Sequence, residues 1–189
     1  MSHKTFFISD THFGHEKCWS AFKQPDGETP LRPFCSTEEM DETMVERWNA
    51  VVRPCDKVYH LGDVVIARRS LETLSRLNGK KRLVRGNHDI FPTKDYLKYF
   101  DEIYGVRVLD GMILSHIPLS EGSITARYRT NVHGHLHAND IPNPMYFNVS
   151  VEQINFAPIE LPDLMAAIEA KRALYPDYPF PKSRWESAS

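Results

Sequence analysis

Cysteine is scarce in this 189-residue chain: Cys18, Cys35 and Cys55 are odd in number and show no CxxC spacing. That excludes a disulfide framework and a Cys-rich zinc site, and it points to a reducing, cytoplasmic setting. No apolar run approaches the roughly 20 residues needed to cross a bilayer. The apolar stretch within residues 1–10 is too short for the core of a secretory leader. A surplus of one charge is missing too. Twenty-three Lys and Arg against 25 Asp and Glu leave a formal net charge of −2, which excludes a basic nucleic-acid tail and an acidic disordered chain. What remains is 41% hydrophobic residues in a length that suits one domain. That domain is expected over residues 1–174, followed by a Pro- and aromatic-containing tail over 175–189. The unusual count is nine histidines.

The pattern along the chain is α/β. Residues 4–9 are a short run that reads as a buried strand, and residues 57–61 and 81–85 read as the second and third strands. Residues 24–33, with Pro25, Gly27, Pro30 and Pro33, read as loop. Ser36 and Glu39 then form a capping box, and Met40, Met44, Val45, Trp48 and Val52 recur at helical spacing until Pro54. Residues 70–77 predict a short helix stopped by Asn78-Gly79. Beyond residue 100, short strands are predicted at 102–104, 106–109, 112–115, 130–133 and 146–149, with Asp110-Gly111 closing a hairpin. Residues 162–174 predict a last helix. The tail is expected to run extended, either packed through Tyr178, Phe180 and Trp185 or mobile.

The histidines cluster where predicted strands end. Asp10 and His12 follow the first strand, Asp63 follows Gly62 at the second, and Asn87 and His88 follow Gly86 at the third. His116 and the pair His135 and His137, behind Gly134, follow later strands. Residues spaced i, i+2 point to one side, and strand C-termini are where open α/β sheets bind ligands. Each motif alone has an ordinary explanation, since Gly-Asp is commonly a turn. Together and in order they hold five of the nine histidines and read as a metal-ligand constellation. Imidazole, carboxylate and amide donors without thiolate suit Mn, Fe, Zn, Ni or Co.

The ordered set DxH, GD, GNHD, a lone His and GHxH resembles the calcineurin-like metallophosphoesterase superfamily over about residues 4 to 150. The DTHFGH form of the first motif is most similar to its small bacterial and phage members. The resemblance implies a four-layer α/β/β/α sandwich of two mixed sheets, with two divalent metal ions at the sheet edge. It implies one metal on Asp10, His12 and His137, a second on Asn87, His116 and His135, and Asp63 as the bridge. It also implies that His88 gives a proton or hydrogen bond to the reacting phosphoryl group and that Asp89 orients His88. Two cations would neutralise the ester, acidify a shared water and align an in-line attack. The run Gly62-Asp63-Val64-Val65-Ile66-Ala67-Arg68 departs from the GDxxDRG of protein Ser/Thr phosphatases, which disfavours a phosphoprotein substrate.

The leading expectation is therefore a metal-dependent phosphoric ester hydrolase acting on small phosphodiesters such as cyclic nucleotides. The alternatives are a phosphomonoesterase, a nucleotide pyrophosphatase or a nuclease, and from another class a non-catalytic scaffold. The presence of His88 with the whole ligand set argues against the scaffold. Substrate contacts are expected at His15, Arg127 and Arg129, the two guanidiniums flanking Tyr128 so as to clamp a phosphate and stack on a base. The basic cluster at Lys80, Lys81, Arg82 and Arg85 is not the long stripe of a duplex-binding surface. The expected partner is a small phosphorylated molecule or nucleotide, with neither duplex nucleic acid nor membrane. His60 reads as a core or outer-sphere histidine and His133 as structural.

Overall fold

The structure, a computed structural model, describes residues 3–124 and 128–180. In chain order its elements begin with β1 (Thr5–Ile8), α1 (Lys17–Ser20), α2 (Thr37–Val51), β2 (Lys57–His60) and a 3-10 helix at Arg68–Arg76. They continue with β3 (Lys80–Val84), α3 (Thr93–Tyr96), β4 (Glu102–Tyr104), β5 (Arg107–Leu109) and β6 (Met112–Leu114). A 3-10 turn at Glu121–Ser123, β7 (Thr130–His133), β8 (Tyr146–Asn148), β9 (Ile159–Glu160) and α4 (Leu161–Ala173) complete the order. The first sheet runs β4-β3-β2-β1-β9 and is parallel except at β9. The second runs β5-β6-β7-β8 and is parallel except at β5. The expected α/β class with two mixed sheets is what forms.

Local chemistry explains most elements. Ser36 caps α2 by accepting the Glu39 N–H at 3.0 Å, while the Glu39 carboxylate reaches back to the Cys35 N–H at 2.7 Å. Met40, Met44, Val45 and Trp48 form its buried face. The β5–β6 hairpin closes on Asp110 and Gly111, with φ of 48° and 77°, the doubly left-handed turn that matches strand twist. The helix expected over 70–77 is corrected. It is a 3-10 helix, because Leu71, Leu74 and Leu77 are all buried at a spacing of three. Only three residues per turn keeps that row on one face.

Alternation along the strands sorts the core into layers. Phe6, Ile8, Val58 and Leu83 face one way and pack against α2 and the 3-10 helix through Met44, Trp48 and Leu74. Phe7, Tyr59 and Val84 face the other way and meet Met112, Leu114 and Val132 of the second sheet. Leu164 and Ile168 of α4 join that inter-sheet cluster. Each such buried side chain contributes roughly 1.5–3 kcal/mol. Behind the second sheet, Tyr146 and Met145 pack with Ile124, Tyr178 and Phe180, so the start of the tail is docked. Tyr178 donates to Glu121 and accepts from Asn143 Nδ2 at 3.2 Å. Trp185 lies outside the described residues.

One seam joins the sheets. Beyond β1 and β8 the chain makes an isolated parallel bridge between Ser9 and Ser150. Ser9 N–H donates to Val149 O at 2.9 Å and Val151 N–H donates to Ser9 O at 3.1 Å. The seam lies at the C-terminal ends of the parallel strands, where the histidine motifs begin. Cys18 is buried and Cys35 and Cys55 are exposed, all three free. No helix among the described residues is long and apolar enough to cross a membrane.

Candidate metal centre

Parallel pairing brings the C-terminal ends of β1, β2, β3, β6 and β7 to one edge, and main-chain bonds lock their turns together. Asp10 N–H donates to Gly62 O, His12 N–H to Asp63 O and Gly134 N–H to His116 O, each at 3.0 Å. Asp10, His12, Asp63, His135 and His137 have φ of 58°, 47°, 56°, 70° and 51°. The left-handed conformation costs about 1–2 kcal/mol for a residue with a Cβ, and such strain gathers at functional sites. It turns successive side chains inward instead of along the strand. Gly62 and Gly86 let two of these turns touch. A Cβ on Gly62 would lie 2.6 Å from Gly86 N, and one on Gly86 would lie 2.6 Å from Asp63 N and 2.2 Å from its Oδ1.

The result is two triplets. Nitrogen and oxygen atoms of Asp10, His12 and His137 lie within 4.8 Å of one another, as do those of Asp63, His116 and His135. Asp63 stands between them: its Oδ2 is 3.6 Å from His12 Nε2 and 3.3 Å from His116 Nε2. Asn87 joins the second group, with Oδ1 2.9 Å from His116 Nε2. His116 Nδ1 lies 2.8 Å from Leu61 O, and a carbonyl only accepts, so Nδ1 carries the proton. In neutral His116 the lone pair on Nε2 then faces two oxygen acceptors. Asp10 Oδ1 is buried without a hydrogen-bond partner, 3.8 Å from His12 Nε2. Converging acceptors with no donor between them fit divalent cations, and the donor set of imidazole, carboxylate and amide suits Mn, Fe, Zn, Ni or Co.

Without a cation, protons share the same ground. Burial pushes Asp10 above the usual carboxylate range. Burial and then the charge of Arg32 hold His12 well below the usual histidine value. Burial opposes ionisation of both Asp63 and His116, yet their mutual attraction prevails, lowering Asp63 and raising His116.

His88 is exposed at the rim, its ring 5.5 Å from that of His12, and its N–H donates to Asp63 Oδ1 at 2.8 Å. His15 is half-buried with its ring 5.5 Å from His12 and its Nδ1 3.2 Å from Cys18 Sγ. Asp89 requires a correction. Its carboxylate accepts the N–H groups of Asp63, Val64 and Gly86 at 2.8–2.9 Å. With 1% exposure and those three donors, it braces the Asp63 turn and does not orient the His88 ring. Arg129 lies at the start of β7, its N–H bonding Gly111 O at 2.7 Å, at the opposite end of that strand from the centre. Arg127 lies outside the described residues.

Three contributors were not anticipated. Arg32, 0% exposed, donates to the carbonyls of Asp10 and Thr11 and to Glu152. Glu152 accepts from His137 Nδ1 at 3.1 Å. Ser150 Oγ donates to Asp10 Oδ2 at 2.9 Å. The available signal was the apolar company of Arg32, Pro30-Leu31-Arg32-Pro33-Phe34, unusual for a solvated loop arginine. His60 is fully buried and links two turns: Gly62 N–H donates to its Nδ1, and its Nε2 donates to Thr11 Oγ1.

Comparison with known proteins agrees with this geometry. The sequence profile of the calcineurin-like phosphoesterases matches residues 3–175. An uncharacterised protein of Methanocaldococcus jannaschii is 35% identical over 178 residues, 88% of this chain and 92% of that one. The gene 66 protein of Mycobacterium phage L5 is 33% identical over 90 residues, 45% of this chain and 39% of that protein. Among solved structures, a protein of unknown function from Aquifex aeolicus is similar with a TM-score of 0.67 at 25% identity, covering 88% of this chain and 100% of that one.

Proposed function

The chain belongs to the calcineurin-like phosphoesterase family, metal-dependent hydrolases of phosphoesters, and from that premise we propose that it is a phosphodiesterase of small diesters such as cyclic nucleotides. The observation that carries the reading is the Asp63 carboxylate, whose Oδ2 faces an imidazole of each triplet at 3.6 and 3.3 Å. In this reading Asp10, His12 and His137 hold one cation, Asn87, His116 and His135 hold a second, and Asp63 is shared. When bound, the two cations supply neutralisation of the phosphoryl oxygens and activation of water.

The chain's own residues do the rest. His88 is tethered by its N–H to Asp63 and its exposed ring lies 5.5 Å from that of His12, from where it would give a proton to the leaving oxygen. General acids of this kind contribute about 10²–10⁴-fold. His15, with Nδ1 turned to Cys18, offers its other nitrogen to a non-bridging oxygen. A diester suits the centre better than a monoester because it carries one negative charge fewer. The neighbouring guanidiniums of Arg32 and Arg85 are turned to protein acceptors. Arg85 donates to the carbonyls of Asp89 and Phe91, and Arg32 is buried against Glu152.

The test is hydrolysis of bis-p-nitrophenyl phosphate against p-nitrophenyl phosphate with Mn, Ni, Co or Zn added. The diester is expected to turn over faster with at least one metal. Preference for the monoester would reassign the activity to phosphomonoester hydrolysis, and inertness to both with every metal would favour the scaffold.

A further inference from the structure

The two triplets are supported by different kinds of structure. Behind Asp10, His12 and His137 lies a buried ion pair. Arg32 donates to Asp10 O at 2.6 Å, to Thr11 O at 2.9 Å and, through Nε, to Glu152 Oε1 at 2.8 Å. The same Glu152 oxygen accepts the His137 Nδ1 proton at 3.1 Å. One guanidinium therefore pins both carbonyls of a left-handed turn that carries two candidate ligands. Its carboxylate partner, Glu152, orients a third candidate ligand, His137.

Among the described residues the second triplet has no buried ion pair behind it: Asp89 braces the main chain of the Asp63 turn but touches no imidazole of the triplet. His116 leans on a neutral carbonyl, that of Leu61. Asn87 is exposed, while His135 and His137 are alike half-buried. An imidazole whose N–H is held by a carboxylate is a more basic donor than one held by a carbonyl, and its ring is fixed in orientation. Arg32 also comes from a braced segment and not from a loose one. Leu31 N–H donates to Phe22 O and Gln24 N–H to Thr29 O, both at 2.8 Å. The Asp26 carboxylate ties down the Glu28 and Thr29 N–H groups at 2.9 Å.

We propose that Arg32 and Glu152 are positioning residues that make the two cation positions unequal, so that the one at Asp10, His12 and His137 fills first and holds its ion more tightly. The position at Asp63, Asn87, His116 and His135 is the exchangeable one. The inference rests on the two-cation reading above. It adds that the proline-rich segment carrying Arg32 is part of the metal centre.

The experiment is calorimetric titration of the metal-stripped full chain with Mn²⁺, repeated with Co²⁺ while its visible absorption is followed. The wild type is expected to bind two ions in two resolvable steps. His137→Ala removes the tighter step and His135→Ala the weaker. Glu152→Gln weakens only the step that His137→Ala removes, by about 10–100-fold, and alters the first Co²⁺ spectrum alone. Arg32→Lys is the second variant should Glu152→Gln lose its circular dichroism, and it is expected to weaken that same step. Equal weakening of both steps, unchanged affinities, or weakening confined to the step removed by His135→Ala would overturn the inference while leaving the two-cation reading intact. A wild type that binds fewer than two ions would overturn both, and it is seen before any variant is made.

Discussion

His88 divides binding from chemistry. Its ring is exposed and only its main-chain N–H touches Asp63. Replacing His88 by Ala should keep both metal ions and lower kcat by about 10²–10⁴-fold, measured as metal content alongside turnover of the diester. Parallel loss of metal and turnover would make His88 a ligand instead. His60 works through acidity. Burial drives its pKa down to about 3, against about 6.5 in an unfolded chain. The unfolded state then binds the extra proton, so stability is full above about pH 6.5 and falls toward pH 3, by about 1.4 kcal/mol per pH unit from this group. Urea unfolding in chelator between pH 7.5 and 4.5 should show this slope, and His60→Gln should flatten it. Parallel slopes in the two proteins would contradict the assignment. The candidate ligands were legible because each pairs a donor side chain with a strand end. Arg32 and Glu152 were not, because a buried ion pair between a loop and a segment 120 residues away leaves no local spacing to read.

Elements position these residues through their ends. The β2 and β3 turns cross at Gly62 and Gly86 so closely that Asp89 on one can accept from Asp63 and Val64 on the other. Gly86→Ala would drive a methyl group into the Asp63 main chain and carboxylate. Crowding of this kind costs about 1–3 kcal/mol, and here it should also weaken metal binding, read by thermal unfolding with and without Mn²⁺. A variant that unfolds earlier yet keeps the wild-type shift on adding metal would show that the crossing does not set the centre. Strands with apolar runs, the capped α2 and the Asp110-Gly111 hairpin were legible because local chemistry specifies them. The 3-10 helix was legible in principle, its leucines at 71, 74 and 77 being three apart, but a helix of 3.6 residues per turn is the commoner reading of a short apolar row. β9 has two residues and α1 and α3 four each, too short for any period to register.

At the scale of the molecule, neither sheet holds the centre alone. Asp10, His12, Asp63 and Asn87 follow strands of the first sheet, and His116, His135 and His137 follow strands of the second. The Ser9–Ser150 bridge closes the seam between them, and Ser150 also bonds Asp10. The centre therefore reports on how the sheets are docked, and Asp63 is where the two halves meet. The most direct measurement is anomalous scattering from crystals soaked in Mn²⁺, for the wild type and for Asp63→Asn. The wild type should show two peaks, one on each side of the Asp63 carboxylate, and Asp63→Asn should lose or deplete both. A single peak, peaks away from Asp63, or two undiminished peaks in Asp63→Asn would contradict the account.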